Sequence, residues 1–390
     1  MINGKKPCMK VVRFHGPQDV RVEKIEQPKC GPGQVKVSFN PETSITDKPQ
    51  MRNTYCGLCG SDLHEFTSGP VLIPKGAHNI TKATAPVIMG HEFGGVIEEV
   101  GEGVTGLSKG QRAVVRPTIF DRKCPPCKLG YEYCCENIGF IGLSGRLAES
   151  ALDPCSSCAG YGGGFAEHIV APAEHFYPVP DHVAPESIAM IEPLAVAWHA
   201  VNLSPFKEGD NALILGGGPV GLCILQVLKM RGVNFAIVAE LTETRKQSAK
   251  NFGATHVLDP RDVNVADNVR GLTDDIGVDV VFDTAGVEKA LDGAIGASRV
   301  HGTIVNVAVW EKRPHIRVNE MMYHEVKYLG AALYDEKSFQ STIEAISKGQ
   351  LRPEPMITDK IRLDDVVEKG FKTLLADRDT HCKILVDPQS

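Results

Sequence analysis

Short apolar, β-branched runs broken by turn residues fill the first half of the chain: "MKVVRF", "VRVEKIE", "QVKVSF", "GGVIEEVG", "RAVVRPT" and "FAEHIVAP". This spacing predicts an antiparallel, barrel-like β domain. From about Glu186 strand-like and helical segments alternate: "NALILG", "VGLCILQVLKMRG", "FAIVAE", "TETRKQSAKNFGA", "THVLD", "VDVVFDTAG" and "GTIVNVAVW". Such alternation predicts βαβ units on a parallel sheet, and so an α/β protein with a second, β-rich domain. After "VKYLGAALYD" the helical stretch "KSFQSTIEAISKGQL" leads to a last strand in "HCKILVDP", where the tail is expected to rejoin the first domain. The expected boundaries are 1–191 for the β-rich domain, 192–331 for the parallel sheet and 332–390 for the return.

Two stretches break the rhythm. Residues 40–53, "NPETSITDKPQMRN", interrupt what should be a strand entering "CGLCGSD", and residues 146–161, "RLAESALDPCSSCAGY", separate "FIGLSG" from "GGGFAEH". Both read as surface insertions. The second also carries Cys155 and Cys158, but a single Cys-x-x-Cys pair is weak support for a metal or redox knuckle.

Composition narrows the function classes. At 390 residues, two domains are the natural expectation. A net charge of −6 offers no basic footprint for nucleic acid. The longest apolar runs are broken by glycine and proline and are too short to span a bilayer. The N-terminal "MINGKKPCMKVVRF" has no apolar core of signal-peptide type, so the expected compartment is cytoplasmic. There, twelve cysteines read as thiols and metal ligands rather than disulfides.

The candidate chemistry lies in five stretches. In "LILGGGPVGL", Gly216, Gly218 and Gly221 form G-x-G-x-x-G, with Val220 in the same turn, after a strand and opening a helix. The first glycine suits a tight turn, the second a close backbone approach to a pyrophosphate, and the third helix–strand packing. Glu240 ends the next strand, where a carboxylate hydrogen-bonds a ribose 2′-OH and repels a 2′-phosphate, which favours NAD over NADP. Arg245 is placed either against the adenosine ribose or in solvent. "GLCGSDLHEF" and "MGHEFGG" supply Cys59, His64, His91 and Glu92, and "IEPLAVAWHA" adds Glu192 and His199. A catalytic zinc takes about three protein ligands and leaves one position open. "FDRKCPPCKLGYEYCC" holds Cys124, Cys127, Cys134 and Cys135, either a four-cysteine shell or a shell with one spare thiol and a substitute ligand.

With the flanking text "PVIMGHEFGGVIEEVGEGVT", "CENIGFIGLSG", "GGGFAEHIVAP" and "EPLAVAWHAV", these motifs resemble the zinc-dependent medium-chain alcohol and polyol dehydrogenases over essentially the whole chain. The fungal-type (R,R)-2,3-butanediol dehydrogenases are the most similar group. The resemblance implies a Rossmann cofactor domain and a GroES-like barrel-like catalytic domain, with NAD and zinc as cofactors. It puts Cys59 and His91 on the catalytic zinc, with Glu92 and Glu192 as the remaining candidate ligands. Ser61 would pass the substrate proton towards the cofactor ribose and His64 would deliver it to solvent. The family's register places structural-zinc ligands at Asp121, Cys124, Cys127 and Cys135, leaves Cys134 spare, and makes Cys56 a core residue. It implies a diol or alcohol as substrate and a homo-oligomer, dimer or tetramer. A sorbitol- or xylitol-type dehydrogenase and an inactive zinc- and nucleotide-binding homologue are the alternatives.

Overall fold

The computed structural model describes residues 7–38, 54–144, 162–310, 312–377 and 379–389. The insertions at 40–53 and 146–161, with Cys155 and Cys158, lie outside the described residues. The chain divides into two compact units, one running to Glu192 and resuming at Ile357, the other Pro193–Met356.

The first unit is built on β-sheets. Its largest sheet runs through His168–Pro172, Gln34–Ser38, Glu92–Val100, Cys56–Gly57, Lys383–Asp387 and Ile357–Arg362, with Arg112–Val115 and Phe176–Pro178 attached to Glu92–Val100. Neighbours pair antiparallel except Ile357–Arg362 and Lys383–Asp387, which run parallel. A smaller sheet joins Asp19–Glu26, Cys8–Gly16 and Val87–Ile88. The first six residues of Glu92–Val100 are all buried, as expected of a strand covered on both faces. Its core includes Val35, Val37, Cys56, Phe93, Ile97, Val115, Phe371, Ile384 and Val386, so Cys56 is a core residue as expected.

The second unit carries a six-stranded sheet in the order His256–Leu258, Ala236–Ala239, Ala212–Leu215, Val278–Asp283, Ser298–Asn306, Lys327–Gly330. Every pair is parallel. In chain order this is 3-2-1-4-5-6, the Rossmann arrangement, with its switch point between the first and fourth strands. "ALIL" and "AIVA" are buried throughout because helices cover both faces of such a sheet.

One boundary differs from expectation. The return to the first unit comes at Ile357, not 332. The helix Glu336–Ser347 stays with the parallel sheet's unit: Asn202 donates to Ser338 Oγ at 3.2 Å, and Phe339 stacks on Tyr334. Gln226 then accepts from Arg352 N at 3.3 Å. The strand Ile357–Arg362 also escapes the sequence pattern, since "ITDKIR" has only one fully buried position.

Phe371 links the C-terminal return to the helix Gly60–Ser68. It is fully buried and stacks on Phe66 with centroids 5.1 Å apart. Phe371→Ala should cost about 3–5 kcal/mol of stability, read by denaturant unfolding of the metal-loaded protein. A loss no larger than the roughly 0.5 kcal/mol of a surface substitution would contradict this packing.

Candidate functional site

Cys59 immediately precedes the helix Gly60–Ser68, and its backbone N–H donates to Asp62 Oδ2 at 3.0 Å. His91 and Glu92 enter the strand Glu92–Val100 from Gly90, whose φ is +92°. A Cβ on Gly90 would come within 2.8 Å of both Cys56 Sγ and Phe165 N, so only glycine fits. These elements bring Cys59 Sγ, a His91 ring nitrogen and a Glu92 carboxylate oxygen within 4.8 Å of one another. Ser61 Oγ is 3.2 Å from His91 Nε2, and Asp62 Oδ1 is 3.5 Å from His91 Nδ1. His64 is half-buried one turn further along the same helix. Glu192, buried in the first turn of the helix Ile191–Leu203, is not part of the cluster.

Burial would lower the pKa of His91, but Asp62 and Cys59 outweigh it and hold the imidazole well above its usual value. The pocket therefore carries negative potential that a cation would satisfy. A carboxylate facing Nδ1 is also how metal-binding imidazoles are oriented and their tautomer set. Thiolate, imidazole and carboxylate together suit zinc.

Glu92 has a second engagement. Lys383, from the last strand, places Nζ 2.5 Å from Glu92 Oε2 and 3.0 Å from Leu58 O, with both side chains almost wholly buried. Asp62 and Lys383 were not among the sequence candidates. Asp62 could have been found as the acid three residues after a thiol in "CGSD", and Lys383 as the one charge inside the apolar "CKILV".

The cysteine lobe brings four candidate ligands together. Ligand atoms of Asp121, Cys124, Cys127 and Cys135 lie within 4.8 Å of one another, and Cys134 is exposed outside the group. Burial pushes the thiol of Cys127 up, and its neighbours Cys124 and Cys135 push it further. Crowded thiols of this kind resist ionising without a cation, and a zinc ion removes that resistance.

In the second unit Gly216 takes φ +96°, and a Cβ on Gly221 would lie 2.0 Å from Gly216 O, so the helix Pro219–Met230 can pack against the turn only through glycine. Gly218 is its N-cap, followed by Pro219 at the first helical position and a half-buried Val220. Glu240 is buried, accepting from Gly217 N at 2.7 Å through Oε2 and from Leu241 N and Thr242 N through Oε1. A Cβ on Gly218 would stand 3.8 Å from Arg245 Nη1, so Arg245 lies beside the glycine turn. The turn offers backbone N–H groups and a helix N-terminus suited to a diphosphate. His199 belongs to this unit, 3.9 Å from Asp335 Oδ1, with burial holding its pKa down, and among the described residues it joins no metal cluster.

Comparison with known proteins follows the same division. Residues 47–181 match the alcohol dehydrogenase GroES-like domain, and residues 219–348 match the zinc-binding dehydrogenase family. A curated (R,R)-butanediol dehydrogenase of Neisseria gonorrhoeae is 36% identical, covering 97% of this chain and 99% of its own. The (R,R)-butanediol dehydrogenase of Bacillus subtilis is also 36% identical, over 97% of this chain and 100% of its own. The crystal structure of 2R,3R-butanediol dehydrogenase from Bacillus subtilis superposes with a TM-score of 0.85, covering 97% of this chain and 99% of that one. Among the described residues no helix is long and apolar enough to cross a membrane. With this fold, these donor clusters and similarity along nearly its full length, the chain belongs to the zinc-binding dehydrogenases, as an oxidoreductase acting on CH–OH donors.

Proposed function

We propose that the protein is an NAD-dependent (R,R)-butane-2,3-diol dehydrogenase, interconverting the diol and acetoin, and that it works in the cytoplasm. The observation that carries this reading is the near full-length similarity to butanediol dehydrogenases in a chain that clusters Cys59, His91 and Glu92. When bound, zinc supplies a Lewis acid for the substrate hydroxyl and the nicotinamide supplies the hydride acceptor. Cys59 and His91 hold the metal, with Glu92 or Glu192 as the further carboxylate, and Asp62 orients the His91 ring. Ser61 takes the substrate proton and His64, a turn along the helix, carries it towards solvent. Gly216, Gly218, Val220 and Gly221 form the diphosphate turn, while Glu240 and Arg245 take the adenosine ribose. Asp121, Cys124, Cys127 and Cys135 hold a second, structural zinc.

The reading is tested by following NADH absorbance with each stereoisomer of butane-2,3-diol, with sorbitol, xylitol and ethanol. The expected result is highest kcat/KM on the (R,R)-diol. Preference for sorbitol or xylitol would make it a polyol dehydrogenase, and no turnover with zinc bound would make it an inactive homologue. His91→Ala should abolish turnover yet leave NADH binding, read by fluorescence, nearly intact, since the glycine turn sits in the other unit. Substantial diol oxidation by that variant would remove zinc from the chemistry.

NAD should be preferred over NADP at least tenfold in kcat/KM. Glu240→Ser should narrow that preference by roughly 1–3 kcal/mol, the scale of a charged hydrogen bond. Because Glu240 also receives Gly217 N, the same change should raise KM for both cofactors. Equal use of NAD and NADP by the wild type would overturn the assignment.

We further propose a homo-oligomer formed through the second unit. Val318 and Met322, one turn apart on the helix Val318–His324, are 66% and 60% exposed. Apolar side chains exposed together on one helix face suit an interaction surface. Light scattering should give a multiple of the single-chain mass, and Val318→Asp with Met322→Asp should lower it. A single-chain mass for the wild type would contradict the proposal.

A further inference from the structure

The two carboxylates that face metal clusters are treated in opposite ways. Glu92 meets a buried ammonium. Among the described residues Asp121 meets neutral hydrogen-bond donors: its Oδ1 accepts from Lys123 N at 2.8 Å and Cys124 N at 2.9 Å, and its Oδ2 accepts from Asn137 Nδ2 at 2.6 Å. None of these donors carries a charge of its own to neutralise the carboxylate. A carboxylate oxygen has two lone pairs. Both of those on Oδ1 are occupied, and Asn137 occupies one on Oδ2, so the second Oδ2 lone pair is the one left for the thiol side of the lobe, where Cys124 and Cys127 also meet the carboxylate.

Asn137 is itself fixed. Its Oδ1 accepts from Asn79 Nδ2 at 2.5 Å, which sets the amide orientation and leaves Nδ2 to donate to Asp121. The next residue is braced from the same loop. His78 Nδ1 accepts from Ile80 N at 3.3 Å and Thr81 N at 3.2 Å, so Nε2 carries the proton and donates to Ile138 O at 3.1 Å.

We propose that Asn137, held by Asn79, is a positioning residue for the structural metal site, turning the Asp121 carboxylate so that the free lone pair of Oδ2 faces Cys124, Cys127 and Cys135. The proposal rests on the reading of Asp121 as the fourth ligand. A thiolate on this loop needs no such partner. A carboxylate does, because its side chain rotates about χ2 and its two oxygens compete for the ion.

The test is a cycle on the purified, zinc-loaded enzyme, following zinc per chain and the rate of zinc transfer to 4-(2-pyridylazo)resorcinol. Asn137→Ala should speed release of one of the two zinc ions about 10–100-fold, the usual cost of losing a partner that orients a ligand. The other zinc and kcat should be unchanged. In an Asp121→Cys background the same Asn137→Ala change should have no effect on release. A side chain that only packs the lobe would speed release equally in both backgrounds, and that result overturns the proposal. Asn137→Ser, a milder change whose hydroxyl is too short to reach Asp121, should behave as Asn137→Ala does, and unchanged release in it also overturns the proposal. If Asp121→Ala keeps both zinc ions as tightly as the wild type, the fourth-ligand reading itself fails.

Discussion

Lys383 reaches the interior of the first unit from the last strand of the chain, and there its ammonium meets Glu92 and the carbonyl of Leu58. Each ion costs several kcal/mol to bury alone, and removing either partner typically costs 3–5 kcal/mol. The pair is also a geometric lock. Cys56–Gly57, Glu92–Val100 and Lys383–Asp387 are neighbours in one sheet, and a Cβ on Gly57 would lie 2.3 Å from Glu92 Oε2. Leu58 leads into Cys59, and His91 precedes Glu92. A chain that failed to return its last strand would leave Glu92 charged and unpaired at the floor of the metal cluster. The last strand of the discontinuous first unit thus supplies the charge partner of a carboxylate in the candidate metal cluster.

Around that lock, each candidate catalytic residue is placed by short-range rules. The left-handed Gly90 turns His91 into the cluster, the helix after Cys59 carries Ser61 and His64, and Asp62 both receives the Cys59 N–H and faces His91. The cofactor turn obeys its own constraint, the close contact of Gly221 with Gly216 O. The metal-ligand candidates and the glycine turn lie in separate units, so metal loss and cofactor loss are expected to be separable.

Much of this was legible from local pattern. G-x-G-x-x-G with an acid at the end of the next strand, turn-broken β-branched runs in the first half, and the spacing of Cys124, Cys127 and Cys135 all depend on neighbours in sequence. What local pattern could not supply were partners distant in the chain. Lys383 is 291 residues from Glu92, and Asn79 lies 58 residues from Asn137. The helix Glu336–Ser347 was legible as a helix, but its allegiance was not, because amphipathic spacing shows that a face is buried and not against what. Glu192 and Glu92 looked equivalent as candidates, and only the folded strand sets Glu92 beside Cys59 and His91.

The first unit should hold two distinct zinc ions, one catalytic and one structural. Crystals of the purified protein measured on both sides of the zinc absorption edge should show two anomalous peaks, one bonded to Cys59 Sγ and a His91 nitrogen, the other to Asp121, Cys124, Cys127 and Cys135. A map with no peak at Cys59 and His91, or with Cys134 in place of Asp121 around the second, would contradict it.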